Sequence, residues 1–208
     1  MDVFVAVLLL AFIGWSVKSR AERHRVMLLA MHLQPYEIEK LMETISDGYM
    51  RALGEQDSQR RQSIWALLEP AERKLAEQFA QFARDFARLP ARQARIIALP
   101  WPLAWLLERL GGPAPVLERY SVDMGALLQL HARAIAEAAQ AQASSPSAKA
   151  YTLLAEILLM QHSCHWFCKS HTVASARLLA RHQTSYPKVL ASISASTRTD
   201  YGALTGKA

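Results

Sequence analysis

Cysteine and glycine are both scarce in this chain: two of the first and eight of the second in 208 residues. The two cysteines, Cys164 and Cys168, stand four positions apart. They cannot build the multi-bridge framework of a small secreted domain, and a bridge between consecutive turns of one helix would crosslink almost nothing. A reducing compartment suits them better. With so few glycines, and no strict apolar/polar alternation between turn signals, the sequence gives no sign of a sheet. Charged residues make up 20% against 51% hydrophobic, which excludes a disordered chain. No Gly-rich phosphate loop, G-x-S-x-G elbow, H-E-x-x-H pair, kinase signature or deaminase signature occurs. Acidic residues are also rare near the C-terminus. Beyond Ser147 only Glu156 and Asp200 offset Lys149, Lys169, Arg177, Arg181, Lys188, Arg198 and Lys207.

What is present favours helix: Ala, Leu, Gln, Glu and Arg dominate. The length suits one domain, since domains usually run to roughly 100–200 residues. The expected architecture is a single all-α bundle of about six to eight helices behind an N-terminal transmembrane helix. Residues 1–20 form the anchor in this reading, and 21–208 the helical body.

The anchor rests on residues 3–17, VFVAVLLLAFIGWSV, apolar apart from Ser16 and followed by Lys18, Arg20, Arg23 and Arg25. A cleaved signal peptide would place cations before the run and a small-residue site after it, whereas here Asp2 precedes and the cations follow. The run falls short of the roughly 20 residues that cross a bilayer. Trp15 at the boundary, with Lys18 and Arg20 reaching the headgroups, would ease the mismatch. The positive-inside rule then places the N-terminus outside an inner or plasma membrane and the rest of this single-pass chain in the cytoplasm.

Along the body, Ile38, Leu41, Met42, Ile45, Tyr49 and Leu53 predict an amphipathic helix ending near Gly54. Asp57 or Ser58 caps a short helix with Ile64, Trp65, Leu67 and Leu68, and Pro70 opens another whose stripe is Leu75, Phe79, Phe82, Phe86 and Leu89. Residues 91–110 read as an interfacial helix, with Arg92 and Arg95 for anionic headgroups and Trp101 and Trp105 for the boundary. A core helix with a charged exterior fits them equally. A Gly/Pro break at 111–115 follows. Met124, Leu127, Leu128, His131, Ile135 and Ala138 line the next helix. After the loop 143–147, a long helix is expected from about 147 to 185, stopped by Pro187.

The densest chemistry lies in QHSCHWFCKSH, residues 161–171. On one helix Cys164, Cys168 and His171 share the core side, and a hairpin would bring His131 within a turn of Cys164. These four residues define an alternative function, a thiol or metal sensor holding zinc or haem. The competing reading is two buried thiols and a hydrogen-bonded core histidine, with no cofactor. Opposite that side, Leu159, Trp166 and Val173 recur at seven-residue steps, a second apolar face to be covered by this chain or offered to a protein partner or second copy. The net charge of +6 fits a membrane surface, and no nucleic-acid recognition motif accompanies it. The leading expectation is a non-enzymatic, membrane-anchored accessory or scaffold protein. Lipid contacts its N-terminal helix, and a protein partner is implied. An enzyme with an unrecognised site is the remaining alternative.

Overall fold

The computed structural model describes residues 2–99, 103, 118–141 and 145–206. Among them are α1 (Asp2–Leu33), α2 (Ile38–Gly54), α3 (Ser58–Phe86), β1 (Arg95–Ile97), β2 (Ser121–Asp123), α4 (Met124–Gln140), α5 (Pro146–Cys168), α6 (His171–His182), α7 (Tyr186–Ser192) and α8 (Ala195–Thr205). The all-α bundle expected from composition is what forms. α5 lies at its centre and touches α1, α2, α4, α6 and α7.

The amphipathic stripes set the packing. On α2, Ile38, Leu41, Ile45 and Tyr49 are buried, while Leu53 in the last turn stays exposed. On α3, Leu75, Phe79, Phe82 and Phe86 are fully buried. Successive rings touch at 5.5 and 5.9 Å, and Phe86 meets Phe167 of α5 edge-on at 5.7 Å. α4 buries all six residues of its expected stripe.

Three local expectations are corrected. Pro70 does not open a helix: it lies inside the 29-residue α3, which starts at the Asp57 cap. Proline costs the bond its missing N–H would have made to Ala66, but Leu68, Glu72 and Leu75 on either side are buried, and tertiary burial outweighs one lost bond. A small ribbon also forms, pairing Arg95 with Asp123, Ile96 with Val122 and Ile97 with Ser121. Strands of three residues are too short for alternation to register in sequence. Asp123 then caps α4, accepting from the N–H groups of Gly125 and Ala126 at 2.7 and 3.2 Å.

The third correction concerns the long C-terminal helix. It breaks at Lys169, whose φ of −132° and ψ of −96° leave the helical region. Ser170 then caps α6 by accepting from Val173 N at 3.2 Å. The chain turns at Lys169 and Ser170, the tip between the two helices, and α6 packs back against α5: His162 meets His171 and Ser175, and His165 meets Arg177. Pro187 sits in the first turn of α7 rather than ending the long helix.

Candidate membrane anchor and its junction with the body

α1 is one continuous helix of 32 residues, and it is long and apolar enough to cross a membrane. Residues 3–13 are exposed on every face, from Val3 at 79% to Ile13 at 56%. An apolar helix exposed all round has no side suited to water. Trp15 (65% exposed), Lys18 and Arg20 follow at the end of the run, where a bilayer boundary would fall.

The second half of α1 belongs to the body. Glu22 accepts from Lys169 Nζ at 2.5 Å and lies 3.9 Å from Lys18. Arg25 donates to the Phe167 carbonyl at 3.5 Å, and Leu28 and Leu29 are buried. His32 packs on Phe86 with ring centres 5.6 Å apart. Glu22 beside Lys169, with later residues of α1 meeting earlier residues of α5, makes the two helices antiparallel. The end of α5 at the α5–α6 tip is therefore the part of that helix nearest the projecting half of α1.

The interfacial helix expected at 91–110 is not a helix over residues 91–99, although Leu103 further along is helical. Arg92 lies in the exposed turn after α3, and Arg95 lies in β1, because backbone pairing with β2 takes the segment into extended structure. Trp101 and Trp105 lie outside the described residues, as does the break at 111–115.

The four residues of the sensor reading are not brought to one point. Cys164 and Cys168 share α5, but the helix break puts His171 on α6, where its ring meets His162 at 4.8 Å, Tyr186 at 4.8 Å and Trp166 at 5.2 Å. His131 bonds instead to Ser163, Nε2 to Oγ at 2.9 Å. Ser163 gives its own proton to the Leu159 carbonyl at 3.1 Å, so the imidazole Nε2 carries the N–H and Nδ1 is the bare, buried nitrogen. Burial pushes the His131 pKa down to about 3. Among the described residues no three His, Cys, Asp or Glu side chains are grouped to hold a metal ion. Burial, with Cys168 adding to it, pushes the Cys164 thiol up to about 12. Burial raises Cys168 as well, against the opposing charges of Arg177, Arg25 and Lys169. Thiolates bind metals and react, so both groups are held in their inert form.

The second apolar face is covered by this chain. Leu159 is fully buried and Trp166 is 4% exposed. Only Val173 remains open, at 38%, and it stands on α6. The seven-residue repeat assumed one helix, and the break at Lys169 folds α6, followed by α7, back against α5, which closes the face.

Sequence reasoning missed two buried carboxylates. Glu72 accepts from Tyr49 Oη at 2.8 Å and pairs with Lys149 Nζ at 2.5 Å, joining α2, α3 and the first turn of α5. Glu156 accepts from Ser194 N at 3.0 Å and so holds the start of α8. Each falls on a stripe, Glu72 with Leu75 and Phe79, Glu156 with Leu153 and Met160. A charge on an apolar stripe was the available signal. An open groove of about 460 Å³ lined by Tyr49, Met50, Leu53, Gly54, Ala150, Tyr151 and Leu154 was also missed. It lies about 28 Å from the α5–α6 tip, at about 1.5 Å per residue of α5.

No known protein family, no curated protein and no solved structure matches this chain.

Proposed function

We propose that the chain is a single-pass membrane protein whose helical body works at the membrane surface as a non-enzymatic accessory or scaffold component. The observation that carries this reading is α1, apolar and exposed on all sides over residues 3–13 and built into the core by its second half. Lipid is the environment that matches such a surface. Because α1 is one unbroken helix, the body is held close to the bilayer by a strut, where a flexible linker would have let it range. A protein that has to hold other components at the membrane gains from that restraint. The cations after the run, with Asp2 before it, favour a body on the cytoplasmic side.

The test has two arms. The full chain should stay with membranes through alkaline carbonate washing, and a chain lacking residues 1–20 should not. A reporter fused after Ala208 should be active on the cytoplasmic side; activity on the opposite side would reverse the orientation. Cross-linking in native membranes, followed by identification of what is held, tests the scaffold role, and a chain that captures only lipid and itself would overturn it.

A further inference from the structure

We propose that the tip between α5 and α6, with Arg25, Lys169 and Arg177 around it, rests on the headgroups of anionic lipids in the bilayer that α1 spans. The proposal builds on the anchor reading above and gives the body a second lipid contact.

Height comes first. The apolar run ends at Val17, and Glu22 lies five residues further, about 7.5 Å along a helix rising about 1.5 Å per residue. The polar layer on each side of the hydrocarbon is roughly 5–8 Å deep. Glu22 therefore stands at the headgroups, and Lys169, bonded to it at 2.5 Å, stands there too.

Charge comes second. Within residues 18–25, Lys18, Arg20, Arg23 and Arg25 accompany the single carboxylate of Glu22. That one carboxylate already faces two ammonium groups, Lys169 and Lys18. No acidic residue occurs anywhere from 157 to 199, which covers the end of α5, the tip, α6 and α7. Cations from α1, the tip and α6 also converge, since Arg25, Lys169 and Arg177 all lie near enough to Cys168 to oppose the upward push of burial on its thiol. A surplus of positive charge held at headgroup depth is what an anionic leaflet attracts, at about 1 kcal/mol per basic residue, or about fivefold each. The attraction is screened beyond about 8–10 Å in physiological salt, so only cations placed this close contribute.

The full chain in nanodiscs of phosphatidylcholine, with or without phosphatidylglycerol, tests this by amide hydrogen exchange over residues 168–174. Exchange there should slow about fivefold or more in the phosphatidylglycerol discs, and the difference should vanish at high salt and in Arg23→Gln with Arg177→Gln, both exposed side chains. Equal exchange in the two lipids, in discs that hold the chain, overturns the proposal and leaves the anchor standing. Protection that survives the double substitution also overturns it. Inorganic phosphate added to phosphatidylcholine discs is the control for source: equal protection there assigns the tip to free phosphate and overturns the lipid assignment. A chain that enters neither disc removes the anchor reading and this proposal with it.

Discussion

The first half of α1 and the middle of α5 are alike in composition and opposite in surroundings. Both are apolar all round. Residues 3–13 are exposed without exception, whereas residues 155–160 are buried without exception. The difference shows in their polar residues. α5 carries Glu156, His162 and Ser163 because α4, α6 and α8 bring partners: His131, Ser175 and Ser194. Residues 3–13 contain no polar side chain at all. A helix covered by protein can hold polar groups that find hydrogen bonds, and one covered by hydrocarbon cannot, since each unsatisfied group costs several kcal/mol there. The all-round apolar pattern alone does not separate the two cases; the polar content does.

The sharpest way to break the comparison is to truncate one aromatic in each region. Phe167 is fully buried and Phe4 is 69% exposed. Phe167→Ala should cost the body about 3–5 kcal/mol, while Phe4→Ala should leave its unfolding unchanged. Thermal unfolding of both variants in mild detergent checks this, and equal losses would mean that residues 3–13 pack on protein. A charge tests the same contrast from the other side. Leu9→Arg should oppose membrane insertion by about 2.5–3.5 kcal/mol without altering the fold of the body. Its share in the carbonate-resistant fraction should drop accordingly.

The polar groups of the α5 region also predict a pH response that α1 has no means to give. His131 titrates near 3 when folded against an ordinary 6.5, so between those values the unfolded chain binds a proton that the folded chain refuses. Its contribution to stability is complete above pH 6.5 and is lost as pH falls toward 3, at up to about 1.4 kcal/mol per pH unit. Glu156 works the other way. Burial raises its carboxyl, Ser194 and Thr197 partly offsetting this, so the folded chain keeps a proton that the unfolded chain loses above the ordinary carboxylate range. Stability from that group falls as pH rises. Denaturant unfolding across pH 4–7 should therefore slope more steeply in Glu156→Gln and flatten in His131→Gln, whose amide can still donate to Ser163.

The elements that were legible in sequence are those governed by one helix at a time. The inner stripes of α2, α3 and α4 follow from residue spacing, and the Asp57 cap from local chemistry. The break at Lys169 was not legible, because Cys-Lys-Ser-His contains neither Gly nor Pro and its only signal is a serine able to cap. That single miss propagated. With α5 and α6 read as one helix, His171 joined the cysteines on a shared face and Trp166 was left without cover, so both the metal set and the partner face were drawn on a helix that does not exist. Pro70 misled in the opposite direction, marking a boundary that burial overrode. The N-terminal helix long and apolar enough to cross a membrane was legible because it needs only composition.

The smallest effect expected is at the seam where the two regions meet. Glu22 and Lys169 join α1 to the α5–α6 tip, with side chains 18% and 34% exposed, so solvent screens the pair only in part. Exposed pairs are worth about 0.2–1 kcal/mol, and pairs that lose one buried partner about 3–5 kcal/mol. This half-buried pair should fall near the top of the first range, because Lys18 also approaches Glu22 and Lys169 retains access to water. Glu22→Gln should therefore lower stability by about 1 kcal/mol, and so should Lys169→Gln. The double variant should lose less than the sum, the shortfall in the cycle measuring the pair itself. Full additivity would mean that the two side chains act separately, and that Leu28 and Leu29 alone hold α1 to the body. In that case the strut would rest on apolar contact further up the helix, and the tip would be free to lift from α1.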